Sequence, residues 1–208
     1  MYKKEIIMKN SIVNYSDTKI KNNLKRWFDA STNEDKESGK FWYKEAQEFC
    51  QYLSKKYDLD TYTCATVVSC LSPNNKWGRN KVDAEAVIVA HKNGIAPESI
   101  KVCTYTNNKL KAFRCLDGEL IGETAPKTHA FAMNVGKLSS DHVTIDKWHL
   151  RACMIRPTDG VQPCVETLTA KQYRRVERIT AQLSNEYNLK GFEFQAILWV
   201  AIKNKWNR

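Results

Sequence analysis

The chain lacks the patterns that would place it in a membrane, outside the cell or around a metal ion. Its 208 residues contain no apolar run of transmembrane length. Met1 to Asn10 is basic, but it has no hydrophobic core adequate for a secretory leader. The seven cysteines, at 50, 64, 70, 103, 115, 153 and 164, are odd in number and form no C-x-x-C pair. These absences imply reduced thiols in a cytosol-like compartment, with no membrane partner and no spacing that supports a metal site. No repeat, no low-complexity linker and no stretch of alternating apolar and polar residues is present, and nothing points to a cofactor.

Charge and aromatic side chains are plentiful. Thirty-three Lys and Arg face 23 Asp and Glu, a formal net charge of +10. Such a balance suits a polyanion partner, because cationic side chains that neutralise phosphates release condensed counterions. A merely soluble basic protein has the same composition. The basic residues are dispersed, so they do not make a disordered basic tail. Six Trp and nine Tyr supply a core, and some are candidates for stacking platforms.

Apolar spacing reads as helical almost throughout. Residues 1 to about 15 read as a loose arm. Asp17 to Asp29 places Ile20, Leu24, Trp27 and Phe28 on one side of a short helix. Ser31 to Gly39 is polar and reads as a loop, and Phe41 to Tyr57 as an amphipathic helix. Thr61 to Leu71 is apolar, with a length suited to a buried helix, and Ser72-Pro73-Asn74-Asn75 ends it. Helices follow over Asn80 to Asn93 and Asn107 to Cys115, with a short turn or helix at Glu98 to Val102 between them. Thr124-Ala125-Pro126 opens another that stops at Gly136. Lys147 to Ile155, Thr169 to Tyr187 and Gly191 to Lys205 complete the series, with a loop from Arg156 to Gly160. The expected fold class is all-α.

Chemistry concentrates around Val143-Thr144-Ile145-Asp146-Lys147-Trp148-His149-Leu150-Arg151. A short β-branched run leads into one Asp, a helix starts there, and an Arg follows five residues on. Lys127 lies nineteen residues upstream, in Gly122-Glu123-Thr124-Ala125-Pro126-Lys127-Thr128. A Lys and an Asp in this setting resemble the active site of the helix-hairpin-helix DNA glycosylase superfamily, which includes endonuclease III and 8-oxoguanine glycosylase. Val67 to Trp77 is similar to the superfamily's helix and LSxQ-like turn, Asn80 to Ala84 to its next helix, and Asn108 to Phe113 to its NxKA-like segment. The order and intervals match across roughly residues 40 to 156. The hairpin departs from the usual L-P-G-V-G-x-x-T-A: Leu120 to Thr128 keeps one Gly, is one residue longer before the Lys and carries Glu123. Those glycines normally let backbone N–H groups approach a phosphate. The His after the Asp is displaced to His149, and the superfamily's four-Cys iron–sulfur loop is absent. The chain also resembles uncharacterised phage proteins with an S-P-N-N-K-W turn and a closing Q-A-I-L-W-V helix, here Gln195 to Val200.

The resemblance implies a divergent, phage-type member with a two-lobed fold and a cleft. Residues 1–40 would be an arm and first helix, and 41–208 the glycosylase-like domain. Within it, about 55–135 would form the inner lobe, and the N-terminal segment with 147–208 the other. Asp146 would stabilise cationic charge on the sugar as the N-glycosidic bond breaks, and Lys127 would be the amine that captures C1′. The flipped base would leave the stack, with Asn74, Asn75 and Trp77 as wedge or pocket wall. Lys76, Arg79, Lys81, Lys109, Lys111, Trp148, His149 and Arg151 would complete the DNA and base contacts. Plainer roles stand beside these. Asp146 suits a helix N-cap, Lys127 a phosphate or solvent contact, and Asn74 and Asn75 a turn. Trp77, Trp148 and Trp199 suit a core, and His149 and Gln195 a buried polar position. The expected activity is excision of a modified or damaged base from duplex or single-stranded DNA by a monomer in the cytoplasm, the host's for a phage-encoded protein. The alternatives are a phage DNA base-modifying transferase on the same fold and a non-catalytic DNA-binding protein.

Overall fold

The computed structural model describes residues 11–122, 124–159 and 167–206. Among these the chain is all-helical, as the periodicity implied, with nine α-helices, two 3-10 turns and no strand. The helices are α1 (Asp17–Asp29), α2 (Asn33–Tyr57), α3 (Thr61–Leu71), α4 (Trp77–Lys92), α5 (Thr106–Leu116), α6 (Pro126–Val135), α7 (Lys147–Met154), α8 (Ala170–Glu186) and α9 (Gly191–Trp206). They belong to two compact units. Met1–Tyr43 and Ser140–Arg208 make the first, and Lys44–Ser139 the second. Among the described residues no helix is long and apolar enough to cross a membrane.

The first unit packs α1, α7, α8 and α9 together. Helix α1 starts at Ser16, whose hydroxyl accepts from Lys19 N at 3.2 Å, and buries Ile20, Leu24, Trp27 and Phe28 along one stripe. It also supplies donors to carbonyls that the end of α7 leaves unpaired. Asn23 Nδ2 donates to Cys153 O at 3.0 Å and Trp27 Nε1 to Ile155 O at 2.6 Å. Helix α8 opens on a reciprocal capping box between Thr169 and Gln172. His149 lies in this core, 1 % exposed. Its Nε2 lies 2.8 Å from Thr180 Oγ1, and that hydroxyl gives its single proton to Val176 O. The ring therefore donates through Nε2–H and is neutral, and burial lowers its pKa to about 3.

The second unit is built around α3. Asp60 caps it, accepting from Thr63 N at 2.9 Å, and every residue from Cys64 to Leu71 is buried. A helix with neighbours on all sides has no charged stripe, which accounts for its largely apolar sequence of small and β-branched residues. Helices α4, α5 and α6 surround it. Ser69 Oγ donates to Thr128 O at 2.7 Å, and Asn80 Nδ2 to Val68 O at 3.1 Å.

The polar segment from Ser31 to Gly39, expected as a loop, is helical from Asn33. Two features missed by apolar periodicity explain this. Thr32 N donates to Asp35 Oδ2 and Asp35 N to Thr32 Oγ1, both at 3.1 Å, a reciprocal cap that starts the helix. Gly39 then faces α9 so closely that a Cβ would lie 2.5 Å from Ile197 Cα. Helix α4 begins at Trp77 rather than Asn80. The expected loose arm is partly tucked in. Ile12 is fully buried, and Arg175 Nη1 donates to its carbonyl at 3.4 Å. Residues 1–10 of that arm, Glu123, Gly160 and Cys164 lie outside the described residues. The other six cysteines are free thiols, and only Cys103 is exposed.

Two outcomes follow from this packing. Gly39→Ala forces α2 and α9 apart and should lower unfolding stability by about 1–3 kcal/mol in urea or thermal melts. His149 protonates near 6.5 when unfolded and near 3 when folded, so the unfolded chain binds more protons between those values. Stability should be at its full value above pH 6.5 and fall with pH across that window. The loss attributable to this group should reach about 2 kcal/mol by pH 5. In His149→Gln, whose amide can still donate to Thr180, stability against pH should be flatter over the same range.

Candidate functional site

Asp146 is the N-cap of α7, and its side chain is half-buried. One carboxylate oxygen, Oδ1, accepts from Trp148 N at 2.9 Å and from His149 N at 2.8 Å. The segment leading to it is held as firmly. The Tyr173 hydroxyl donates to Val143 O at 2.8 Å and accepts from Ile145 N at 3.0 Å. Glu177 Oε1 accepts from Val143 N at 2.9 Å. The Tyr43 hydroxyl lies 3.3 Å from Thr144 Oγ1 and 3.2 Å from Gln195 Oε1. Burial raises the pKa of both tyrosines, and the charge of Asp146 adds to the rise. Both hydroxyls therefore stay protonated around this carboxylate. Gln195 sits in the core of this unit as a hydrogen-bonding partner, and the Trp199 ring packs against Trp42, centres 5.9 Å apart and planes tilted by 50°.

The remaining candidates of the first unit share α7. Trp148 is half-buried, Arg151 lies over its ring, and His149 points into the core.

The candidates of the second unit surround the turn between α3 and α4. Asn74 takes the left-handed conformation, φ +56°, which Asn tolerates better than most residues, and its amide donates to the Tyr105 hydroxyl. Asn75 Nδ2 donates to Leu71 O at 3.2 Å and to Asp83 Oδ2 at 2.9 Å. Trp77 packs on α2, with its indole N–H donating to Glu45 Oε1 at 3.2 Å and its ring edge-on to Phe49. Arg79 pairs with Asp83 at 2.7 Å, Lys81 with Glu45 at 2.7 Å, and Lys109 donates to Ile100 O at 2.8 Å. Lys76, Lys111 and Lys127 carry no ion pair among the described residues, and Lys76 and Lys127 are exposed. Lys127 stands on the first turn of α6. Ile121, just before that turn, is held by the Tyr62 hydroxyl and by His129 Nδ1.

Asp83 escaped the reading of the sequence. It is 1 % exposed, and it gathers Arg79, Asn75 and the Cys103 amide, the last at 2.8 Å. Its signals were the i,i+4 spacing from Arg79 and a carboxylate on an otherwise buried helix face. Trp206 also escaped, because only packing reveals its contacts with Trp27 and Trp148. Among the described residues no three His, Cys, Asp or Glu side chains are grouped to hold a metal ion.

Comparison with known proteins adds a family and no function. No curated protein and no solved structure matches the chain. Residues 6–206 match the model described as "Family of unknown function (DUF7178)", and the chain belongs to that family.

Proposed function

We propose that this chain acts on a base in DNA, most simply as an N-glycosylase, on a helix-hairpin-helix glycosylase-type fold. The observation that carries the reading is Asp146. Its carboxylate is half-buried, immobilised by two backbone N–H groups, and followed on the same helix by an indole and a guanidinium. A fixed anion of this kind suits a reaction that builds positive charge. As the C1′–N bond breaks, its electron pair leaves with the base and the sugar becomes cationic. Asp146 stabilises that charge and orients water. Water oxygen bonds to C1′, and its proton passes by way of the carboxylate to the departing base. His149 takes no part as an acid at neutral pH, since burial keeps it unprotonated. The order of segments from Val67 to Arg151 and the net charge of +10 support a DNA substrate. A second reading, a DNA-binding protein without chemistry, draws on the same residue, because an N-cap accounts for Asp146 structurally.

Asp146→Asn separates the two readings. Asn caps a helix about as well as Asp, so folding and DNA affinity should persist. Base release should be abolished, measured by mass spectrometry of bases and nucleosides after incubation with DNAs of differing modification. Unchanged base release in the variant, or no change to any DNA by the native protein, would overturn the enzyme reading.

DNA affinity should also fall steeply with salt, by about 0.9 log units per log unit of salt for each duplex phosphate neutralised. Among the described residues, Lys76, Lys111, Lys127 and Arg151 are the basic candidates not already committed to carboxylates or carbonyls. A flat salt dependence in fluorescence titrations would remove nucleic acid as the partner.

A further inference from the structure

In the first unit Arg151 is set apart by its indole neighbours. Arg156, Arg175 and Arg178 of the same unit each pair with a carboxylate. Arg151 has no carboxylate partner among the described residues. Its Nε is closed off from solvent and makes no hydrogen bond. Its guanidinium lies instead against the Trp148 ring, 4.3 Å from the ring centre, with the Trp206 ring to one side at 5.9 Å. The two rings are 6.1 Å apart and tilted by 36°.

The indole pair is braced from behind. Trp206 stands edge-on to Trp27 at 5.5 Å, and the Trp27 indole N–H is tied to Ile155 O. Lys147 and Lys205, both exposed, flank it, with Lys147 Nζ 5.8 Å from the Trp148 ring. The nearest carboxylate along the helix, Asp146, has an oxygen committed to the cap.

A planar guanidinium partly withdrawn from water, stacked and without a counter-ion, is a preorganised receptor for an oxyanion. Its fork matches two oxygens of one phosphate, and stacking fixes its plane before the ligand arrives. The half-exposed indoles beside it suit bases that are not paired, since every base has a face to stack.

We propose that Arg151, held against Trp148 and beside Trp206, is a phosphodiester seat for a single nucleic-acid strand. This rests on the reading above that nucleic acid is the ligand. Arg151 lies five residues after Asp146, about 7.5 Å along α7, and so grips the strand close to that carboxylate. It is a binding residue, distinct from the group that stabilises charge.

The test is fluorescence anisotropy of a labelled single-stranded oligonucleotide with the full chain at several salt concentrations. Melting curves accompany each variant. Arg151→Gln should weaken binding about tenfold. It should also lower the salt slope by about 0.7, the loss of one phosphate contact on a single strand. Arg151→Lys should keep the slope and still lose affinity, because the charge remains and the fork does not. Trp206→Phe should reduce the quenching of tryptophan fluorescence by the strand. If Arg151→Gln does not fold, Arg151→Lys decides: weaker binding with the slope kept supports the seat, and unchanged affinity overturns it. Native affinity and slope in Arg151→Gln would also overturn it. So would a fully paired duplex that binds as tightly and is as sensitive to Arg151, or a free mononucleotide that displaces the strand at equal concentration. Failure here is separable from failure of the enzyme reading. Asp146-dependent base release with Arg151-independent binding removes only the seat, and Arg151-dependent strand binding without base release removes only the enzyme.

Discussion

Helix ends set the terms for this structure. A chain that is helical among all its described elements must satisfy N–H and C=O groups that each helix leaves unpaired. It does so with side chains. Ser16, Asp60 and Asp146 accept from the first turns of α1, α3 and α7, and the Thr32–Asp35 and Thr169–Gln172 pairs cap α2 and α8 reciprocally. At the other ends, Asn23 and Trp27 donate to carbonyls at the close of α7, Asn75 to Leu71 O, and Gln47 to Asn134 O at 2.9 Å. Each bond adds about 1 kcal/mol, and leaving a buried end unpaired costs more than that. These residues therefore carry stability while they also decide where elements begin and stop.

The candidate site is built from the same devices. Asp146 is a cap, and capping is what holds its carboxylate still. The Tyr173 hydroxyl, bridging Val143 O and Ile145 N, and the Glu177 carboxylate fix the extended segment that delivers it. A catalytic or binding group benefits from such rigidity, because a group already in place loses little freedom when its ligand arrives. Structural and chemical roles of Asp146 are therefore compatible. The second unit shows the contrasting case, in which Asp83 draws Arg79, Asn75 and the Cys103 amide inward and uses up side chains that an isolated sequence leaves open to ligands.

Legibility followed the physical range of each signal. Apolar spacing over Asp17 to Asp29 and the uncharged, largely apolar run of Thr61 to Leu71 are local, and those helices fall where the pattern put them. The stretch from Ser31 to Gly39 misled, because its helix depends on a Thr–Asp box and on contact with Ile197, far along the chain. Among candidate residues, the cap at Asp146 was readable from one acidic residue before a helical run. The fate of Trp77, tied to Glu45, and of His149, tied to Thr180, required partners on other helices.

By itself the sequence determined the helical class, the periodic faces and the positive charge, since these depend on residues within a few turns of each other. Tertiary structure alone decided which polar side chains are consumed. His149 is neutral because the core around it excludes water. Arg79 is paired because Asp83 lies one turn away on a buried face. Arg151 lies against Trp148 on its own helix, and packing alone adds Trp206, fifty-five residues later, beside it. Burial and long-range neighbours set charge state and availability, and neither is encoded at the position of the residue itself.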